Sequence, residues 1–139
     1  MPTRPLGRVP RVDGLPSPAR ALATILCVDD DRAVLETLGL FLMSEDFEVI
    51  SANDGREALL RLQEHLPDLI ITDYRMPGMT GLELCKRVRA SRSMRCIPII
   101  VHTAVSLPTD PLLYDGTVRK PVDPHAFAVQ IRVLLASRH

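Results

Sequence analysis

An alternation constrains this chain more than any other feature. Short apolar, β-branched runs recur, and each is followed by apolar residues spaced three or four positions apart. TILCV at Thr24–Val28 is followed by Val34, Leu35, Leu38, Phe41 and Leu42. A second run at 47–51 and the turn Asn53-Asp54-Gly55 lead to Ala58, Leu59, Leu62 and Leu66, with Pro67 as a stop. DLIIT at 68–72 precedes Leu82, Cys85 and Val88; IPIIVH at 97–102 and a short run at 117–119 precede Phe127, Ile131, Leu134 and Leu135. Runs of the first kind read as strands and the spaced residues as helix faces. Because the strands are continuously apolar, they are expected to be buried on both sides. That predicts an α/β domain, a parallel sheet with helices on either face. Asp54 with Glu57 and Thr80 with Glu83 have capping-box spacing. Asp123-Pro124 is an N-cap followed by a first-turn proline.

The 139 residues suffice for one domain. No apolar run approaches the roughly 20 residues of a membrane-spanning helix, so no membrane is implied. Nothing resembles a secretion signal, and Cys27, Cys85 and Cys96 form no CxxC pair. They are expected to be small core residues in a reducing, cytoplasmic setting. Residues 1–22 hold Pro2, Pro5, Pro10, Pro16 and Pro18 and show neither a period of 2 nor one of 3.6. This predicts a disordered tail. It carries Arg4, Arg8, Arg11 and Arg20 against Asp13, and because the net charge is zero the remainder is acidic by the same amount. The tail reads as a docking arm or as a solvated leader; its charge alone names no partner. A mildly acidic core with no Trp is a poor nucleic-acid surface.

Open parallel α/β sheets form their sites where the chain leaves the carboxyl ends of the strands. Here the first strand ends in Asp29, Asp30 and Asp31, the third in Asp73, the fourth near Thr103 and the fifth at Lys120. Clustered carboxylates need neutralising, and Mg²⁺ accepts carboxylate and phosphate oxygens. An aspartate can carry a phosphoryl group covalently. A lysine and a hydroxyl suit its equatorial oxygens. Singly, each residue has a plainer reading: Asp30 or Asp31 as a helix cap, Asp73 as a turn starter, Thr103 as a satisfied strand-end hydroxyl, Lys120 as a surface lysine. Their placement at successive strand ends favours a shared site.

In ILCVDDD, PDLIITDYRMPGMTGLEL, HTA and RKP, the chain resembles the receiver domain of bacterial response regulators in two-component signalling. The resemblance covers about residues 23–136. It implies a flavodoxin-like, doubly wound five-stranded parallel sheet of order 2-1-3-4-5. The chain then divides into a basic, proline-rich tail at 1–22 and a receiver domain at 23–139. The resemblance implies that Asp73 accepts phosphate from a histidine kinase or histidine phosphotransfer protein. Asp30, Asp73 and the backbone carbonyl of Arg75 would ligate Mg²⁺, and Asp29 would act through a water. Thr103 and Lys120 would respond to the phosphate, and Pro121 would follow a cis peptide. Such a domain is not a turnover enzyme, although it catalyses its own phosphorylation and dephosphorylation.

Two departures stand out. Lys120 follows Thr103 by only 17 positions, and Pro108 and Pro111 lie between them. The family's fourth helix is therefore expected to be short, irregular or absent. The family's aromatic switch position is Thr117, and Tyr114 is out of register. Arg75, two positions after the acceptor, reads either as a modulator of dephosphorylation or as a solvated side chain. Lys86, Arg87, Arg89, Arg92 and Arg95 read as a solvated basic face, and His102 as a packed core residue. The favoured function is a stand-alone phosphoryl-accepting module, without an output domain, acting on an unidentified downstream protein. A phosphorylation-independent interaction module is the alternative. An aspartyl phosphatase is disfavoured because Arg75 stands where that class has a second acid.

Overall fold

A computed structural model describes residues 23–137; the tail expected to be disordered lies outside the described residues. The elements are β1 (Thr24–Val28), α1 (Arg32–Ser44), β2 (Glu48–Ala52), α2 (Gly55–Glu64), β3 (Leu69–Asp73), α3 (Gly81–Ala90), β4 (Ile99–Thr103), β5 (Gly116–Arg119) and α4 (Pro124–Ser137). All pairings are parallel, and the sheet order is β2-β1-β3-β4-β5. This is the flavodoxin-like arrangement expected from the sequence.

The strands divide two cores. Leu26, Val28, Ile70, Ile99 and Val101 face α2 and α3, whereas Ile25, Cys27, Leu69, Ile71 and Ile100 face α1 and α4. Each such side chain, fully buried, contributes about 1.5–3 kcal/mol. This alternate burial on both faces explains why the strands read as continuous apolar runs rather than alternating ones.

The two expected capping boxes form, one of them with a variation. At Thr80 both arms of the box form: Glu83 N–H donates to the Thr80 hydroxyl (3.1 Å), and Thr80 N–H donates to Glu83 Oε1 (2.8 Å). At Asp54 the side chain accepts from Glu57 N–H, but Glu57 reaches back to Asn53 N–H instead. α2 ends at Glu64, so Leu66 lies beyond it and is exposed rather than on its apolar face. Cys27 and Cys85 are core residues, as expected, but Cys96 is exposed.

Between β4 and β5, residues 104–115 contain no helix among the described residues. They form a strap across the sheet edge. Tyr114 is buried against the α2–α3 core, and its hydroxyl donates to the Pro108 carbonyl. The strap is fastened by Arg89 of α3, whose guanidinium donates to Leu113 O (3.1 Å) and Asp115 Oδ2 (2.8 Å), and which also holds the turn before β4 through Arg95 O (2.8 Å) and Ile97 O (2.8 Å). Asp115 Oδ2 also accepts Ile99 N–H at 2.8 Å. Arg89 is therefore no part of a solvated basic face, which corrects the sequence expectation.

Candidate functional site

The acidic residues meet because β1 and β3 are neighbours that end on the same rim. Asp29 directly follows β1 and is 2% exposed; Asp73 closes β3 and is 9% exposed. Asp30 is exposed. The three carboxylates each place one oxygen within 4.8 Å of the others. Asp31, exposed and next in sequence, serves the helix instead. It caps α1, accepting from the N–H groups of Ala33 and Val34. Of the two aspartates that could have capped α1, Asp31 is the one that does so.

Lys120 arrives from the end of β5. Its N–H donates to Thr103 O at 2.9 Å, and a cis peptide joins it to Pro121, as the resemblance implied. Its ammonium lies between the buried acids, 3.1 Å from Asp29 Oδ2 and 3.2 Å from Asp73 Oδ1. Asp29 Oδ1 accepts Asp31 N–H at 2.9 Å, and Asp73 Oδ1 accepts Tyr74 N–H at 2.8 Å. Asp73 Oδ2 takes no hydrogen bond among the described residues.

One ammonium cannot balance three carboxylates. At 4.8 Å and an effective dielectric of about 20, two unit charges repel by roughly 3 kcal/mol. Burial, and then the Asp29 charge, raise the Asp73 carboxyl above its ordinary value, against the opposing pull of Lys120 and the Tyr74 N–H. Burial alone would lower Lys120, but its bonds to Asp29 and Asp73 outweigh that and raise it. A hard divalent cation would relieve the remaining repulsion, and an all-oxygen donor set suits one. Asp29, Asp30 and Asp73 could hold it.

Thr103 is buried at the same rim. Its hydroxyl accepts Val105 N–H at 3.0 Å, and no hydrogen bond joins it to Asp73 or to the Lys120 ammonium among the described residues. Arg75 is exposed, with its guanidinium 5.7 Å above the Tyr74 ring. His102 is a packed residue as read from the sequence, stacked on Phe127 at 6.3 Å.

Gly81 was not singled out from the sequence. Its N–H donates to Tyr74 O at 2.8 Å, and a Cβ there would sit 2.0 Å from Asp73 O. Its signal was present in the segment GMTGLEL, but glycine alone does not announce a close approach.

The comparisons with known proteins converge on this architecture. The family model for the response regulator receiver domain matches residues 25–132. The phosphate regulon transcriptional regulatory protein PhoB of Rhizobium meliloti is 45% identical over 83 residues, 60% of this chain and 37% of that protein. The DNA-binding response regulator MtrA of Mycobacterium tuberculosis is 34% identical over 116 residues, 80% of this chain and 50% of that protein. The chain thus spans half or less of the length of these two relatives. Among solved structures, the Vibrio cholerae chemotaxis protein CheY4 superposes with a TM-score of 0.77 at 32% identity, covering 82% of this chain and 99% of that one. The receiver domain of a Syntrophus aciditrophicus signal transduction histidine kinase gives 0.74 at 32% identity, covering 82% and 90%. With this match over most of its length, and with the sheet order and strand-end acids described above, the chain belongs to the response regulator receiver domains.

Proposed function

We propose that Asp73 accepts a phosphoryl group from a phosphohistidine on a partner histidine kinase or histidine phosphotransfer protein, with Mg²⁺ as cofactor. The observation that carries the reading is the Lys120 ammonium held between Asp29 and Asp73, beside the exposed Asp30. Asp30, Asp73 and the backbone carbonyl of Arg75 would hold the ion, with Asp29 acting through a water. The bound cation would neutralise the acids and screen the incoming phosphoryl oxygens. Asp73 Oδ2, which takes no hydrogen bond among the described residues, would form the new O–P bond while the P–N bond breaks and its electron pair returns to the imidazole. Lys120 would follow the negative charge onto the transferred group. Thr103 would exchange its bond from Val105 for one to a phosphoryl oxygen, coupling the site to the strap. That is a population shift driven by contacts made only with phosphate. The domain would act in the cytoplasm through a downstream protein rather than by turning over a substrate.

A phosphorylation-independent module on the same fold is the second reading. The absent helix between β4 and β5 favours it, together with Thr117 at the family's aromatic position. Incubation with Mg²⁺ and acetyl phosphate, followed by intact mass, separates the two. One Mg²⁺-dependent phosphate that is absent in Asp73→Asn supports phosphotransfer. No modification from acetyl phosphate or from any member of a kinase panel would leave the second reading standing.

A further inference from the structure

β3 buries one hydroxyl in an otherwise apolar run. It belongs to Thr72, which is 0% exposed and stands one position before Asp73. Packing alone would be served by valine, which has the same shape and brings no polar group. A buried hydroxyl is costly unless it finds a partner. Thr72 finds one in the backbone, donating to the Asp73 carbonyl oxygen at 3.0 Å.

That carbonyl is one end of the peptide unit joining Asp73 to Tyr74, and the other end is committed as well. Tyr74 N–H donates to Asp73 Oδ1 at 2.8 Å. A peptide unit is planar, so a hydroxyl on its oxygen and a carboxylate on its N–H hold one plane from both ends. The bonds run in series, from hydroxyl to carbonyl and from N–H to carboxylate. A donor on the oxygen makes the N–H a stronger donor, and such bonds reinforce one another away from water. Gly81 of α3 packs against the same carbonyl, where a Cβ would fall 2.0 Å from the oxygen, so the plane has little room to tilt. Thr72 thus acts on the Asp73 carboxylate through the backbone.

The consequence is which carboxylate oxygen stays free. Oδ1 holds both the Tyr74 N–H and the Lys120 ammonium, the latter at 3.2 Å, whereas Oδ2 takes no hydrogen bond among the described residues. The last torsion of an aspartate is broad and roughly two-fold, so little in the side chain itself keeps the two oxygens from exchanging. A firmly held N–H on one oxygen opposes that exchange.

From this we propose that Thr72 is a positioning residue for phosphotransfer. Through the peptide between Asp73 and Tyr74 it keeps Oδ1 on the Tyr74 N–H and leaves Oδ2 turned toward the phosphoryl donor. The transfer is the one described above, with the P–N bond exchanged for a bond from Oδ2 to phosphorus. The role in transfer rests on the reading of Asp73 as the acceptor; the hold on the carboxylate does not.

Two substitutions in the full chain test this. Thr72→Val keeps the shape and removes the hydroxyl, and Thr72→Ser keeps the hydroxyl and removes the methyl. In the metal-free protein, Thr72→Val should move the Tyr74 amide proton upfield as its bond to the carboxylate weakens, and Thr72→Ser should leave it near its original place. With Mg²⁺ and phosphoramidate, a small P–N donor, intact mass gives the phosphorylation rate. Thr72→Val should slow it about ten-fold, as loss of orientation does, and Thr72→Ser should recover most of that. Should the valine variant not fold, Thr72→Ala against Thr72→Ser gives the same contrast. An unmoved Tyr74 amide overturns the positioning role whatever the rates. So does a displaced amide with an unchanged rate, or a serine variant that behaves like the valine one. A wild-type protein that takes no phosphate from phosphoramidate, acetyl phosphate or a kinase panel overturns the acceptor reading and the role in transfer with it, while the amide still decides whether Thr72 holds the carboxylate.

Discussion

Gly81 and Asp73 approach so closely that a Cβ on Gly81 would fall 2.0 Å from the Asp73 carbonyl oxygen. The contact seats the first turn of α3 directly against the residue that closes β3. The neighbouring Gly81 N–H to Tyr74 O bond, 2.8 Å long, keeps the loop between them tight. Gly81→Ala is expected to lower stability by about 3 kcal/mol, as overpacking against backbone does, and to weaken Mg²⁺ binding by displacing Asp73. Gly78 is the control: its φ is +83° and a Cβ would meet nothing within 4 Å. Gly78→Ala should cost about 1–2 kcal/mol through backbone conformation and leave Mg²⁺ affinity intact. Urea unfolding paired with Mg²⁺ titration distinguishes them; equal Mg²⁺ affinity in both variants would refute the role assigned to Gly81.

The three carboxylates and one ammonium make opposite predictions for neighbouring substitutions. Asp73→Asn removes a charge that the site holds unwillingly, so the metal-free protein should become more stable, by roughly 1 kcal/mol. Lys120→Met leaves Asp29 and Asp73 buried without their cation and should cost about 3–5 kcal/mol. Mg²⁺ should recover much of the Lys120→Met loss and little of anything in Asp73→Asn. Thermal melts with and without Mg²⁺ read all of these; a destabilised Asp73→Asn protein would show that the carboxylate is structural.

Why some of this was visible in advance and some was not follows from the kind of contact involved. Asp29, Asp73 and Lys120 could be placed together because each ends an apolar run and a parallel sheet gathers such ends on one rim. The missing helix was legible in Pro108, Pro111 and a short spacing. Arg89 was not, because three of its partners are backbone carbonyls at positions 95, 97 and 113, and carbonyls have no residue type to read. Its place in a run of basic residues pointed the wrong way. Strand limits slipped by a residue or two where polar ends such as Asp73 and Thr103 continue the ladder.

Arg89 therefore carries its own prediction. Two of its four hydrogen bonds hold the strap, at Leu113 O and Asp115 Oδ2, and two hold the turn before β4, at Arg95 O and Ile97 O, so Arg89→Ala strands Asp115 and several carbonyls. A cost of about 3 kcal/mol is expected, and hydrogen exchange over residues 104–115 should accelerate far more than in β1 or β3. Arg89→Lys should recover only part of this, since an ammonium cannot reproduce the planar fork. Uniform acceleration across all strands would mean that Arg89 supports global stability rather than the strap.

His102 gives the pH dependence. Burial, and then the Lys120 charge, push its imidazole down to about 4, with Asp29 pulling weakly the other way. An unfolded histidine titrates near 6.5. The unfolded chain therefore binds the proton first as the pH falls, and stability is lost between about 6.5 and 4. The loss is complete below the folded value and absent above the unfolded one. The full window corresponds to roughly 3 kcal/mol as an upper figure. Asp73 acts in the opposite sense, because its raised carboxyl is neutralised in the folded protein before it would be in the unfolded chain, which favours the fold in acid. The two are separated by comparing wild type with His102→Leu. The variant's stability should decline less steeply from pH 6.5 to 4, and the difference between the two curves should flatten above pH 7. Parallel curves across that range would place the acid sensitivity elsewhere.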